Sequence, residues 1–365
     1  MGINGICEFL RNKYPQVFKI EHISYFAFKR ISVDVSPFIY RFMNVYGKED
    51  NQWIRCFINL IILLKKNYIR FVPVFDGEIP IEKLLENLER KNQKNKKEND
   101  IKQIEYDLEE YKIKGLISER LQKINQTYSE TYTKASLLHS FTGEDNINNS
   151  ININKIQEYI EKQKKHIFNI TKNDIEKVIQ VFRVFGIPYL IAPYESEQLC
   201  CSLVNKGICD AVLSPDSDCI AYNSKIIINN LDTTDGTIKY IDMEYLKKEL
   251  NLNTNQVLDF CILLGCDYNR TFKIKNVGPV KGYQLIKKYE DINKITEYDI
   301  SKIKIEECKK IFKYELEDKI ITQLKNIEKE VKFDIEEIKN ICSKYNIYIN
   351  HKFIYEIKNP KIIIE

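Results

Sequence analysis

Apolar residues in this chain fall into two rhythms. Short β-branched and aromatic runs at 31–35 (Ile-Ser-Val-Asp-Val), 71–76 (Phe-Val-Pro-Val-Phe-Asp) and 209–213 predict strands, and longer stretches with helical spacing separate them. Runs that are apolar almost throughout suit strands buried on both faces, so the pattern predicts an α/β class with a central, mostly parallel sheet flanked by helices. A pair of runs at 226–231 and 237–241 around Asp235-Gly236 predicts a hairpin. Pro193-Tyr-Glu-Ser-Glu-Gln-Leu is expected to open a helix, with its proline early and its acids in the first turn. Two further helices are predicted at about 255–264 and 280–288, joined by a loop.

The ends of these runs carry acids. Asp34 and Asp76 close the first two strands and are followed by turn residues Ser36 and Gly77; Asp216 and Asp218 follow the third strand. Glu195 and Glu197 open the helix at 193, and Asp267 lies in the loop between the last two helices. Ligands of a parallel sheet gather outside the carboxyl ends of its strands. Taken singly, each Asp reads as a turn or helix cap, and the two glutamates as partners of a helix dipole. Those readings leave the convergence of five segments on one rim unexplained. Buried negative charge needs compensating cations, and an all-carboxylate set suits a hard metal ion.

Composition narrows the remaining choices. At 365 residues the chain can form one large domain with insertions or two lobes. Lys plus Arg number 56 against 52 Asp plus Glu, a formal charge of +4. Because the acids just named belong to one site, the rest of the surface is correspondingly more basic, which favours a nucleic-acid partner. The ten cysteines show no zinc spacing and read as packing residues of a reducing compartment. The four histidines lie outside every motif, so no Ser-His-Asp or Cys-His nucleophile competes. No signal-peptide pattern opens the chain, and the apolar run at 58–64 is too short to span a bilayer, so a soluble, intracellular protein without membrane contact is expected. From 84 to 172 the pattern turns charged and helical. Its plain readings are a solvated helix pair or a linker, with disorder expected at 140–154.

Several motifs resemble one family. Residues 258–269 (Leu-Asp-Phe-Cys-Ile-Leu-Leu-Gly-Cys-Asp-Tyr-Asn) and 277–286 (Val-Gly-Pro-Val-Lys-Gly-Tyr-Gln-Leu-Ile) closely resemble the core of the flap endonucleases, structure-specific 5′ nucleases of the xeroderma pigmentosum group G superfamily. Met1-Gly-Ile-Asn-Gly-Ile, Val33-Asp-Val-Ser-Pro-Phe-Ile-Tyr40, Val74-Phe-Asp-Gly, Ala192-Pro-Tyr-Glu-Ser-Glu-Gln-Leu-Cys and Ser214-Pro-Asp-Ser-Asp-Cys-Ile are similar to its other signatures. The resemblance covers residues 1–90 and 173–290 and fills every carboxylate position of the family. It implies a nuclease domain at 1–290, with 84–172 as a long, partly disordered helical arch insertion, and a C-terminal helical extension at 291–365 packed on the core.

The resemblance also implies roles. Two Mg²⁺ ions, replaceable by Mn²⁺, would be held by Asp34, Asp76, Glu195 and Glu197 on one side and Asp216, Asp218 and Asp267 on the other. Lys83 and Arg90, two helical turns apart, would neutralise charge on the scissile phosphate; as an isolated pair they are only surface charge. Tyr40 would stack on a base, its plain alternative being core packing beside Phe38, Phe42 and Val45. Gly2 would lie near the substrate. Arg270, Lys273, Lys275, Gly278 and Lys281 would grip duplex DNA in a helix-two-turn-helix element, with K⁺ in its loop; alone, Gly-Pro is an ordinary helix start. The implied activity is cleavage of branched DNA bearing a 5′ single-stranded flap, with 5′–3′ exonuclease action, in replication and repair. Sibling exonuclease, bubble or junction endonuclease and RNA endonuclease activities, a noncatalytic binding scaffold and a two-metal phosphatase remain open. A monomer is expected, in the nucleus by family analogy or at a cytoplasmic replication site if viral. The closing residues carry no sliding-clamp motif.

Overall fold

In the computed structural model, seven strands form one mixed sheet: β1 (Phe18–His22), β2 (Arg30–Asp34), β3 (Arg70–Phe75), β4 (Leu190–Ile191), β5 (Ala211–Leu213), β6 (Ile226–Leu231) and β7 (Thr237–Asp242). The structure describes residues 2–48, 51–136, 151–269, 272–330 and 334–348, with side chains at 128–136 and 327–330 left aside. Strand order is β1-β7-β6-β5-β2-β3-β4, parallel from β6 through β4 and antiparallel where β7 joins β6 and β1. The α/β class with a mostly parallel centre is therefore observed. Gly236, at φ 77°, closes the β6–β7 hairpin, and the Asp232 N–H donates to the Thr237 carbonyl at 2.8 Å.

β3 shows why the central runs are apolar throughout. Phe71 and Phe75 meet Phe182 of helix Lys172–Val184 edge-on, at 6.4 and 6.0 Å, while the alternate residues Val72 and Val74 join the other core, with Leu199 and Phe260. Successive strand residues point to opposite faces, so burial of both sets means that helices cover both sides. On the first side helix Trp53–Lys66 contributes Phe57, 6.1 Å from Phe182. On the second, helices Ser196–Asn205 and Thr254–Leu264 are buried along most of their lengths.

The chain divides into two compact units, Met1–Glu86 with Ile170–Glu365, and Asn87–Asn169. The second unit is helical. Helix Leu84–Lys114 runs into it and is followed by Glu119–Ser136 and Ile153–Lys165, with Ile101, Ile104, Leu108, Leu121, Ile156 and Ile160 as a small core. Of the stretch expected to be disordered, 140–150 lies outside the described residues, as does the chain beyond 348. At 151–154 the structure corrects the expectation: the Asn152 side chain accepts the Lys155 N–H at 3.1 Å and caps the helix that begins at Ile153. Among the described residues no helix is long and apolar enough to cross a membrane.

Candidate active site

Asp34 ends β2 and Asp76 follows β3, and the parallel register, Asp34 opposite Val74, brings both to one rim. The Ser196 hydroxyl sits between them, 2.6 Å from Asp34 Oδ1 and 2.7 Å from Asp76 Oδ1. The Ser196 N–H donates to Asp76 Oδ1 at 2.9 Å, and Ser36 donates its hydroxyl to Asp76 Oδ2. Ser214, one residue past β5, donates to Asp34 Oδ2 at 2.7 Å and accepts the Asp216 N–H at 3.1 Å. The Asp218 N–H donates to Asp216 Oδ1 at 3.0 Å.

The helix expected from Pro193 begins instead at Ser196, with Glu195 as its N-cap and Glu197 in its first turn. The carbonyls of Pro193 and Tyr194 are occupied elsewhere, accepting the N–H groups of Glu78 at 3.1 Å and Gly77 at 2.7 Å. This short ladder ties the end of β3 to the glutamates. Only glycine fits at 77, because a Cβ there would stand 1.9 Å from the Ala192 carbonyl oxygen.

Lys83 closes the 3₁₀ turn Ile81–Lys83, one residue before its helix begins, and its side chain points inward. Only 7% exposed, it donates to Glu195 Oε2 and lies 3.3 Å from Asp267 Oδ2. Burial opposes its charge, but Glu197, Glu195 and Asp267 hold the ammonium well above an ordinary lysine pKa. Arg90 lies on helix Leu84–Lys114 in the second unit.

The acids feel one another strongly. Burial, then the charge of Asp76, pushes the Asp34 carboxyl up to about 8, against hydrogen bonds from Ser196 and Ser214. Burial and Glu195 drive Glu197 well above the usual carboxylate range; burial and Asp216 do the same to Asp218. Asp216 is raised by its burial, opposed by the Asp218 N–H. Asp218 is fully buried, and neither of its carboxylate oxygens has a hydrogen-bond partner among the described residues.

Like charge so poorly hydrated is stable only when protons or cations share it. The donors are anionic oxygens, which suit hard divalent ions, and the two bare oxygens of Asp218 fit such an ion. Among the described residues no group of three or more His, Cys, Asp and Glu side chains is set to hold a metal as it stands. Here the carboxylates take their partners from within the chain: Lys83 on Glu195 and Asp267, Ser196 on Asp34 and Asp76, and Ser214 on Asp34.

Gly2 borders the same rim. With φ 80°, it leaves space that a Cβ would fill 2.1 Å from Asp216 Oδ1, and the next N–H, of Ile3, donates to Ser217 Oγ at 2.8 Å. Tyr40 is 48% exposed on helix Ser36–Tyr46, whereas Phe38 and Phe42 are buried; Val45 also faces outward. Lys273, Lys275, Gly278 and Lys281 are exposed around the start of helix Pro279–Tyr289, and Lys281 Nζ lies 5.0 Å above the Tyr298 ring. Gly278 has an ordinary φ of −93° and open space where a Cβ would stand, so nothing among the described residues demands glycine there. Arg270 lies outside the described residues. Ser196, Ser214 and Gly77, which hold the acids in place, and Ser217, which holds the chain start, were not among the site residues expected from sequence. Only the serine between two glutamates at a helix start could have drawn notice.

Residues 1–98 match the XPG N-terminal domain and residues 186–267 the XPG I-region. The probable RAD2-like endonuclease 369L of Invertebrate iridescent virus 6 is 28% identical over 317 residues, which span 82% of this chain and 74% of the viral protein. Flap endonuclease 1 of Plasmodium knowlesi (strain H) is 27% identical over 379 residues, covering 95% of this chain and 55% of that protein. Among solved structures, the catalytic core of Rad2 in complex with DNA substrate aligns with a TM-score of 0.55 at 19% identity, covering 98% of this chain and 99% of that one. Flap endonuclease-1 from Methanococcus jannaschii aligns with a TM-score of 0.54 at 19% identity, covering 93% and 96%. At such identities the structural likeness is one of fold, and it accords with the two family matches at the segments that carry the acids. The chain belongs to the XPG superfamily of nucleases.

Proposed function

We propose that this protein is a metal-dependent, structure-specific 5′ flap endonuclease with 5′–3′ exonuclease activity on DNA, acting as a monomer in replication and repair. The observation that carries the reading is a buried Lys83 held between Glu195 and Asp267, with Glu197 adding to the negative field around it. Asp34, Asp76, Glu195 and Glu197 would hold one divalent ion, and Asp216, Asp218 and Asp267 a second; Mg²⁺ and Mn²⁺ both suit these donors. When bound, such ions supply an acidified water and offset charge on the entering and leaving oxygens of an in-line phosphodiester displacement.

The chain's own residues do the rest. Once off its carboxylates, Lys83 donates to a nonbridging oxygen of the scissile phosphate, and Arg90 is given the same part. Ser196 and Ser214 keep Asp34 and Asp76 aimed at the rim. Gly2 keeps the approach beside Asp216 open, and the exposed Tyr40 ring stacks on a base next to the cleaved bond. The free N–H groups at the start of helix Pro279–Tyr289, with Lys273, Lys275 and Lys281 and potassium in the preceding loop, hold duplex phosphates without reading bases. A panel of labelled flap, nicked, bubble, junction and RNA substrates with Mg²⁺, read for cleavage position, tests the reading. Cutting at the base of a 5′ flap supports it, and exclusive cutting of RNA or junctions moves the protein to a sibling activity. Tight DNA binding without any cleavage makes it a scaffold.

A further inference from the structure

Phe28 and Tyr68 both adopt a left-handed backbone, with φ of 65° and 56°. That conformation is costly for a bulky side chain, and glycine or asparagine usually takes it. Elsewhere the chain mostly follows this rule: of the six other described non-glycine residues with positive φ, five are Asn. Tyr68 ends helix Trp53–Lys66, its N–H donating to the Lys65 carbonyl at 3.0 Å and the Ile69 N–H to the Leu64 carbonyl at 3.0 Å. This is a helix stop in which glycine is the common choice. The Phe28 N–H donates to the Tyr68 carbonyl at 3.0 Å, and the two rings stack with centroids 5.4 Å apart and planes 18° from parallel.

Neither ring is needed by the core. Phe28 is 53% exposed and Tyr68 45%, and asparagine would make both turns with less strain. Strained backbone that keeps a stacked aromatic pair in solvent is better explained by a ligand than by folding. The surroundings indicate its charge. Lys29 and Arg30 follow Phe28, and Arg70 follows Tyr68 by two residues, its N–H donating to the Lys29 carbonyl at 3.0 Å. Against these three cations stands Asp210, which lies 3.7 Å from Lys29 Nζ and accepts the Arg30 N–H at 2.8 Å. The pair sits where β2 and β3 begin, at the opposite end of those strands from Asp34 and Asp76.

We propose that Phe28 and Tyr68, fringed by Lys29, Arg30 and Arg70, form a second nucleic-acid contact remote from the acids, stacking an unpaired base of a single strand and holding its phosphates. A ring face accepts any base, and the cations follow the backbone. Duplex DNA offers such a platform only its end pairs, so the contact selects single strands. This goes beyond the cleavage reading and does not depend on catalysis.

The test replaces both rings by the residue this chain prefers at such turns, Phe28→Asn with Tyr68→Asn. Affinity is read by fluorescence anisotropy in chelator, for a labelled oligothymidine and for an abasic strand of equal length. The double variant should bind oligothymidine about fivefold or more weakly while its affinity for the abasic strand is unchanged. A cooperative thermal transition and unchanged affinity for the abasic strand separate the result from misfolding. Arg70→Gln should weaken both strands and flatten the salt dependence. Unchanged oligothymidine affinity, or equal losses for both strands, overturns the proposal. So does a loss of self-association in sedimentation velocity in place of strand binding.

Discussion

Ser196 Oγ stands 2.6 Å from Asp34 Oδ1, in a span that also brings Asp76 Oδ1 within 2.7 Å. A hydroxyl has one proton to donate, so the second contact needs a proton on a carboxyl. Asp34, whose carboxyl is pushed up to about 8, can carry it. One serine thus links the carboxylates at two neighbouring strand ends.

Ser196→Ala removes that link without touching an acid. The Mg²⁺ concentration for half-maximal single-turnover cleavage should rise about tenfold or more, as for other groups that orient metal ligands, with the fold intact. An unchanged Mg²⁺ requirement would show that the serine only caps its helix.

Gly2→Ala places a methyl 2.1 Å from Asp216 Oδ1 and 2.9 Å from the Asp218 backbone nitrogen, on a backbone with φ 80°. Since displacing reacting groups by about 1 Å costs on the order of 10²-fold, single-turnover cleavage should fall by about that much. Thermal unfolding, followed in parallel, separates this loss from misfolding, since Gly2 and the neighbouring Ile3 are buried. Cleavage at the wild-type rate would mean that the chain start is free to move off the rim.

Lys83→Ala should slow single-turnover cleavage by about 10² to 10³ while flap-DNA affinity stays within a few-fold, because a preorganised cation acts mainly on developing charge. Equal losses in affinity and rate would make Lys83 a substrate-binding group. A wild-type rate would return it to a structural counter-ion of Glu195 and Asp267.

Much of this was legible beforehand, for a geometric reason. Parallel strands in register end together, so apolar runs closed by Asp34, Asp76 and Asp216 carry the rim in their order along the chain. β4 escaped notice because two residues, Leu190 and Ile191, hold no pattern. β1 escaped because it is a mostly exposed edge whose partner, β7, is distant in sequence. The helix start at Pro193 was misplaced because backbone pairing with Gly77 and Glu78 overrides the local preference of proline for a first turn. Ser196 and Ser214 look like any cap or turn serine until the strands bring the acids to them. Phe28 and Tyr68 could not be read as left-handed, since the local signal for that backbone is glycine or asparagine.

Away from the rim, Asp174 tests the fold itself. It completes a capping box with Thr171 and lies 2.9 Å from Lys48 Nζ. Burial would raise its carboxyl, but bonds from Thr171 and Lys48 prevail and hold it below the usual range. A depressed folded pKa stabilises fully above the unfolded value of about 3.9 and loses that stabilisation as pH falls through the folded value. Asp174→Asn should therefore lower the thermal midpoint by about 2 °C or more at neutral pH, with the gap closing below about pH 4. A gap independent of pH would show that the charge contributes nothing.

The central claim, that these acids exist to bind catalytic cations, is met most directly at Asp218, buried with two bare oxygens. A structural aspartate would be missed by the fold; a cation ligand would be missed only by the reaction. The decisive measurement is single-turnover cleavage of 5′-flap DNA by Asp218→Asn across a Mg²⁺ titration, with thermal unfolding followed in chelator. The account predicts cleavage lower by several orders of magnitude, flap binding within a few-fold, and a protein no less stable than wild type without metal. Wild-type cleavage at saturating Mg²⁺ would contradict it.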